Sequence, residues 1–196
     1  MQPYSQAAEE NKTVVLPVLE PRLKGVDQVL EIGSGTAEQI VYFAAQHPEV
    51  RWQASDLAAN IPHIQARIAD AALANLPDPV ILDVSGDAWP SPPLQFVYTS
   101  NTLHIMSWQA VACLLRGCAE RLVAGGHLCV YGPFILDGAP LCDSNIAFDQ
   151  HLRERDPLSG IRDTAAMREV AEPLGLLLQE QIAMPHNNHV LIWQKR

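Results

Sequence analysis

A compact apolar run, Gln28-Val29-Leu30-Glu31-Ile32, breaks at Gly33-Ser34-Gly35 and passes directly into apolar residues at helical spacing: Ile40, Val41, Phe43 and Ala44. A buried strand that turns into a helix over two glycines constrains the fold more than any other segment. Gly33 and Gly35 let the backbone bend sharply and come close to a neighbour where a Cβ would clash. The alternation then repeats. Val50–Ser55, Val80–Val84, Phe96–Thr99 and His127–Gly132 read as strands, and Asn11–Leu23, Ala37–Gln46, Ile61–Leu73, Trp108–Leu122 and Thr164–Glu172 as helices, with Thr164 as the expected N-cap of the last. Pro17 and Pro21 leave the end of the first helix open. Two closing strands, Leu176–Ala183 and His189–Gln194, are joined only by Met184-Pro185-His186-Asn187-Asn188. So short a link permits an antiparallel neighbour but no parallel crossover. The pattern predicts an α/β fold, doubly wound and mostly parallel, with an antiparallel terminal strand.

The 196 residues suit one domain, read here as spanning 1–196, and a chain of that size buries roughly 70% of its unfolded surface. Pro133–Gly160 departs from the alternation: it is polar and turn-rich, with one helical pattern at Ile146–Arg155, and reads as an inserted lid-like segment. A hydrophobic fraction of 48% with 18% charged residues excludes disorder. The net charge of −9, without a Lys/Arg cluster, argues against nucleic acid and anionic membrane surfaces as partners. No apolar stretch approaches the ~18 residues of a membrane span, and Met1-Gln2-Pro3-Tyr4-Ser5 lacks the character of a signal peptide. The four cysteines form no CxxC pair, so buried free thiols in a cytoplasmic protein are expected.

Open α/β sheets bind ligands beyond the carboxyl ends of their strands. Glu31, just before the glycines, suits a cationic amine; Asp56, closing the second strand, suits ribose hydroxyls. A dinucleotide fingerprint would place its third glycine at position 38, where Glu38 stands and would repel a pyrophosphate. NAD and FAD are disfavoured on that ground, and a P-loop is excluded because no Gly-Lys-Ser/Thr follows. A nucleoside with an amino-acid tail meets all three conditions, and S-adenosyl-L-methionine (SAM) is such a ligand.

Glu31-Ile32-Gly33-Ser34-Gly35-Thr36-Ala37 resembles motif I of class I SAM-dependent methyltransferases, a Rossmann-like superfamily. Asn101-Thr102-Leu103-His104-Ile105, Tyr131-Gly132-Pro133-Phe134, Ser144-Asn145-Ile146-Ala147-Phe148-Asp149, Asp156-Pro157-Leu158-Ser159-Gly160-Ile161-Arg162-Asp163 and Met184-Pro185-His186-Asn187-Asn188 follow in order. Together they resemble, over nearly the whole chain, a family of small methyltransferase-like proteins that includes methyltransferase-like 26. The resemblance implies a seven-stranded sheet and a SAM site in which Glu31, Gly33 and Gly35 hold the methionine end and Asp56 the ribose. Asp83 and Val84 would meet the adenine, with Asp87-Ala88 as a competing pair. Two positions depart from the pattern: Ala37 replaces the usual third glycine, and Gln95 the acidic residue common at the start of the fourth strand.

Methyl transfer from a sulfonium is an in-line displacement, in which positioning supplies much of the rate and a base is needed only if the acceptor must lose a proton. His104 and Tyr131 are the candidate catalytic residues; a structural histidine bonded to a loop carbonyl and a half-buried strand aromatic are the alternatives. Asn101 is assigned to the substrate or the SAM amine. Ser144, Asn145 and Asp149 form an expected polar wall over the substrate, with helix capping as the other reading, and the hairpin around Asn187 an expected rim. His186 and His189 do not share a face and have no third partner, so no metal is expected. The sequence thus points to a SAM-dependent methyltransferase of a small molecule. Its rivals are a non-catalytic SAM-binding or scaffolding protein and, less well supported, an NAD oxidoreductase. A homodimer is compatible with all three.

Overall fold

The computed structural model describes residues 3–86, Trp89 and 93–196. Helix α1 (Gln6–Leu19) starts where the Ser5 hydroxyl accepts the Ala8 N–H at 3.2 Å, five residues earlier than the apolar pattern suggested. It continues through Pro17, whose ring lies on the exposed face. Then follow β1 (Gln28–Ile32), α2 (Glu38–Gln46), β2 (Arg51–Asp56), α3 (Ile61–Ala71), β3 (Val80–Ile81), β4 (Leu94–Ser100), α4 (Trp108–Arg121) and β5 (Leu122–Gly132). The remaining elements are β6 (Phe134–Ile135), α5 (Asp143–Arg155), β7 (Arg162–Asp163), α6 (Thr164–Ala171), β8 (Leu176–Met184) and β9 (Asn188–Lys195).

Seven strands form one sheet in the order β3-β2-β1-β4-β5-β9-β8, parallel except for β9, which runs antiparallel to both neighbours. This is the doubly wound α/β architecture of the class I methyltransferases. Alternation along β1 assigns its side chains to opposite layers. Val29 packs with α1 and α2 through Val15, Ile40 and Phe43, while Leu30 and Ile32 face the layer of Val111, Leu114 and Leu115 on α4. Glu31 shares the face of Val29, which carries its carboxylate under α1 and α2. On that side the Phe43 ring packs against Trp52 and Tyr98, each at 5.6 Å between centroids.

Three local departures have physical causes. β3 stops at Ile81 instead of Val84, because Asp83 turns the chain by accepting the Ser85 N–H at its side chain and the Gly86 N–H at its carbonyl. β5 begins at Leu122, and the residues before His127 form an irregularity opposite Leu94–Phe96. The N-cap of α6 is Asp163, which accepts the Ala165 N–H at 2.8 Å; Thr164 instead donates to Asp137 and accepts its N–H. The inserted segment is tied at both ends by the parallel pair β6–β7. Of the free cysteines, Cys118 and Cys129 are buried, whereas Cys142 is exposed. No helix among the described residues is long and apolar enough to cross a membrane.

Candidate functional site

The carboxyl ends of β1, β2 and β4 open into a cavity of about 920 Å³, at the upper end of the usual range for small-molecule sites. Its floor is the glycine turn. The Gly33 and Ser34 N–H groups both donate to the Ser55 carbonyl, at 2.9 and 3.0 Å, while the Ser55 hydroxyl donates to the Glu31 carbonyl at 2.6 Å. Gly33 and Gly35 have φ of +74° and +57°, but they are glycines for different reasons. A Cβ at Gly33 would lie 2.7 Å from Cγ2 of Thr102, whereas one at Gly35 would meet nothing within 4 Å. Thr102 therefore dictates the first, and backbone conformation alone the second. Ala37 closes the turn at φ +62° with its Cβ in place, so the departure from glycine carries a left-handed alanine, at about 1 kcal/mol of strain.

Glu31 lines the cavity at 3% exposure, and its Oε2 has no hydrogen-bond partner. Burial raises its pKa from 4.5 to about 7; the Ser34 hydroxyl pulls the other way, and the charges of Asp56 and Glu38 add to the rise. Asp56 also lines the cavity, with Oδ2 accepting the Gly35 N–H at 2.7 Å and Oδ1 bound by the Leu57 N–H and the Asn60 amide. Asp83, Val84 and Asn101 reach the same wall. Asp87-Ala88 lies outside the described residues.

His104 is buried in the wall of the cavity, with the Phe148 ring edge-on at 5.2 Å. Burial, then the charge of Arg162, pushes its pKa from 6.5 down to about 4. Its loop is locked by the return of the inserted segment. Arg162 donates to the carbonyls of Leu103 and Met106, the Gly160 N–H to that of His104 at 2.8 Å, and the Ser159 hydroxyl to that of Ile105 at 3.2 Å. Four consecutive carbonyls are thus satisfied from one segment.

Tyr131 does not reach the cavity wall. Its hydroxyl donates to Asn11 Oδ1 at 2.8 Å and accepts from Asn188 Nδ2 at 3.0 Å, and those two asparagines do line the cavity. The expected polar wall divides similarly. Asn145 lines the cavity and donates to the Asn187 carbonyl, but Ser144 is exposed and bonded to the Asn187 amide, which leaves Asn187 behind the rim. Asp149 turns away, pairing with Arg153 at 2.7 Å and accepting the Ile161 N–H. From the hairpin, His186 and Asn188 line the cavity instead.

Sequence reasoning missed the contribution of α1, which brings Ser5, Ala8 and Asn11 to the cavity. Its only trace was a buried asparagine within an otherwise apolar face. Glu38 does not line this cavity, so its carboxylate is felt there only at a distance, through the charge it exerts on Glu31. It anchors the amino-terminal segment by accepting the Ser5 N–H and pairing with Arg67, which donates to the Pro3 carbonyl. Gln95 sits at the opposite end of the sheet, holding the Asp27 and Gln28 N–H groups, and cannot affect a ligand at the glycine turn. Among the described residues, no group of three His, Cys, Asp or Glu is placed to hold a metal.

The family model described as "Protein of unknown function (DUF938)" matches residues 2–195. The chain belongs to this family. Solved structures similar to this DUF938 member include the SAM-dependent methyltransferase SibL, at 23% identity and a TM-score of 0.77 over 96% of this chain and 55% of that one. The mitomycin 7-O-methyltransferase MmcR matches at 14% identity and a TM-score of 0.79, over 95% and 54%. Human N-acetylserotonin methyltransferase, solved in complex with SAM, matches at 13% identity and a TM-score of 0.77, over 94% and 51%. The DUF938 chain therefore spans about half the length of these proteins, and what it shares with them is the fold.

Proposed function

We propose that this protein is a SAM-dependent methyltransferase acting on a small-molecule acceptor, within one catalytic unit that the inserted segment helps to cover. The observation that carries the reading is the buried Glu31 carboxylate, with one oxygen unpartnered at the wall of a cavity floored by the glycine turn. A buried carboxylate without a partner costs several kcal/mol, and a cationic amine relieves that cost. The residues present fit SAM: Glu31 and Asn101 at the amino-acid end, Gly33 and Gly35 beneath the backbone, Asp56 at the ribose, and Asp83 with Val84 at the adenine. Bound there, SAM supplies an electrophilic methyl on a sulfonium. The cavity of about 920 Å³ leaves room for an acceptor beside it.

His104, held by its four-carbonyl lock, presents a neutral imidazole at physiological pH. A conjugate acid near 4 makes it a weak base, so we assign it mainly to orienting the acceptor. Tyr131 acts through Asn11 and Asn188 as a positioning residue. Asn145 is assigned to the acceptor directly, and Ser144, Asp149 and Asn187 to holding the walls around it. The ordered motifs support placing the chain with the small methyltransferase-like proteins that include methyltransferase-like 26. Free thiols and acidic charge support a cytoplasmic setting.

The weak base at His104 favours one second reading, a SAM-binding protein without turnover. Calorimetric titration tests the main proposal: SAM should bind, and its failure to bind at millimolar concentration rejects both readings. Transfer of a labelled methyl to any component of a metabolite extract separates them, since turnover excludes the second.

A further inference from the structure

The cavity has two chemically distinct halves. The ends of β1 and β2 and the turn after β3 contribute the carboxylates of Glu31, Asp56 and Asp83. The loop after β4, with α1, α5 and the β8–β9 hairpin, contributes Asn11, His104, Asn145, Phe148, His186 and Asn188, with one carboxylate, that of Glu10, which accepts from the Gln6 amide. Among the described residues no Lys or Arg lines either half. The cations on neighbouring elements are engaged elsewhere: Arg162 on backbone carbonyls, Arg67 on Glu38 and Pro3, and Lys12 on Glu9. An anionic acceptor would enter beside four carboxylates, Glu10, Glu31, Asp56 and Asp83, with no Lys or Arg to receive it, at a heavy desolvation cost.

The amides in the second half are also oriented. Asn11 gives its oxygen to the Tyr131 hydroxyl, which leaves its NH₂ for a ligand. Asn188 gives its NH₂ to Tyr131, and Asn145 its NH₂ to the Asn187 carbonyl, which leaves both of their oxygens. The wall therefore offers the whole NH₂ of Asn11, the oxygens of Asn145 and Asn188 and the second N–H of each of those two, in orientations fixed by groups behind it. Rotated or charged alternatives would lose those supporting bonds, and a ligand without matching groups would leave half-buried amides unpaired.

We propose that the acceptor is a small molecule without negative charge, carrying an N–H or O–H donor beside a hydrogen-bond acceptor, read by Asn11, Asn145 and Asn188. This rests on the methyltransferase reading and names the acceptor class of the same site. The test uses the full chain loaded with S-adenosylhomocysteine and titrated with benzamide and benzoate, two probes of one shape that differ in charge and in N–H donors, with binding followed by NMR. Benzamide should bind at least about tenfold more tightly. The preference should fall to about twofold or less in Tyr131→Phe and in an Asn11→Ala, Asn188→Ala double variant, and should move toward benzoate in Asn145→Lys. Unchanged S-adenosylhomocysteine affinity in each variant shows that the fold and the cofactor half are intact. Benzoate binding as well as benzamide, neither probe binding, or a preference indifferent to these substitutions overturns the acceptor proposal. No binding of S-adenosylhomocysteine by the unsubstituted protein overturns the methyltransferase reading beneath it.

Discussion

At position 31 a carboxylate lies beneath α1 and α2 with an unpartnered oxygen and a pKa near 7, raised by its own burial. Binding a cation there favours the ionised form, so SAM binding near pH 7 should release a fraction of a proton and tighten as pH rises. Calorimetry in two buffers of different ionisation enthalpy reads that release directly. Glu31→Gln removes the charge-assisted contact, worth about 1.5–3 kcal/mol, and should weaken SAM by roughly 10- to 100-fold. The two glycines of the turn should respond unequally. Gly33→Ala drives a Cβ into Thr102 as well as straining a φ of +74°, whereas Gly35→Ala meets only the strain of its φ. Denaturant melts should place Gly33→Ala about 1–3 kcal/mol below Gly35→Ala.

At the scale of elements, the loop after β4 is shaped by chain distant in sequence. Arg162, on β7, closes the carbonyls of Leu103, Met106 and Leu158, and its neighbours Ser159 and Gly160 close the two between. Arg162→Met keeps the apolar stem but orphans these acceptors, each worth about 1–3 kcal/mol when left unsatisfied. It should lower stability by about 3 kcal/mol or more, and hydrogen exchange should quicken at residues 103–106 before it does in β1. The same loop was legible as a motif from its residues, yet nothing in their spacing said what held it. Helix α1 shows the converse. Its apolar face was readable, but its role in walling the cavity depends on Tyr131 meeting Asn11, a contact 120 residues apart in the chain.

Across the whole molecule, two buried groups set opposing pH dependences. Glu31 is protonated in the fold but ionised in the unfolded chain between pH 4.5 and about 7, so its contribution falls as pH rises through that window. His104 is neutral in the fold but charged when unfolded between about pH 4 and 6.5, so its contribution is lost as pH falls through that range. Where the windows overlap they cancel. Relative to the unsubstituted protein, Glu31→Gln should therefore gain about 3 kcal/mol of stability between pH 4.5 and 6.5, measured by urea unfolding.

The order of the seven strands of the main sheet and the helices between them, the antiparallel closing strand and the glycine turn, with acids at the strand ends at positions 31 and 56, were legible in local pattern, whereas the short pair β6–β7 was not. Periodicity and turn chemistry act within a few residues, and those few residues carry the whole signal. What faces the cavity was decided by the folded chain. Tyr131, Ser144, Asp149 and Asn187 carry the residue types of a site but spend their polar groups on neighbours, while Asn11, His186 and Asn188 take the wall. A hydroxyl or amide has the same letter whether it meets a ligand or another side chain, and only the packing of α1, α5 and the hairpin over one strand edge determines which partner it finds.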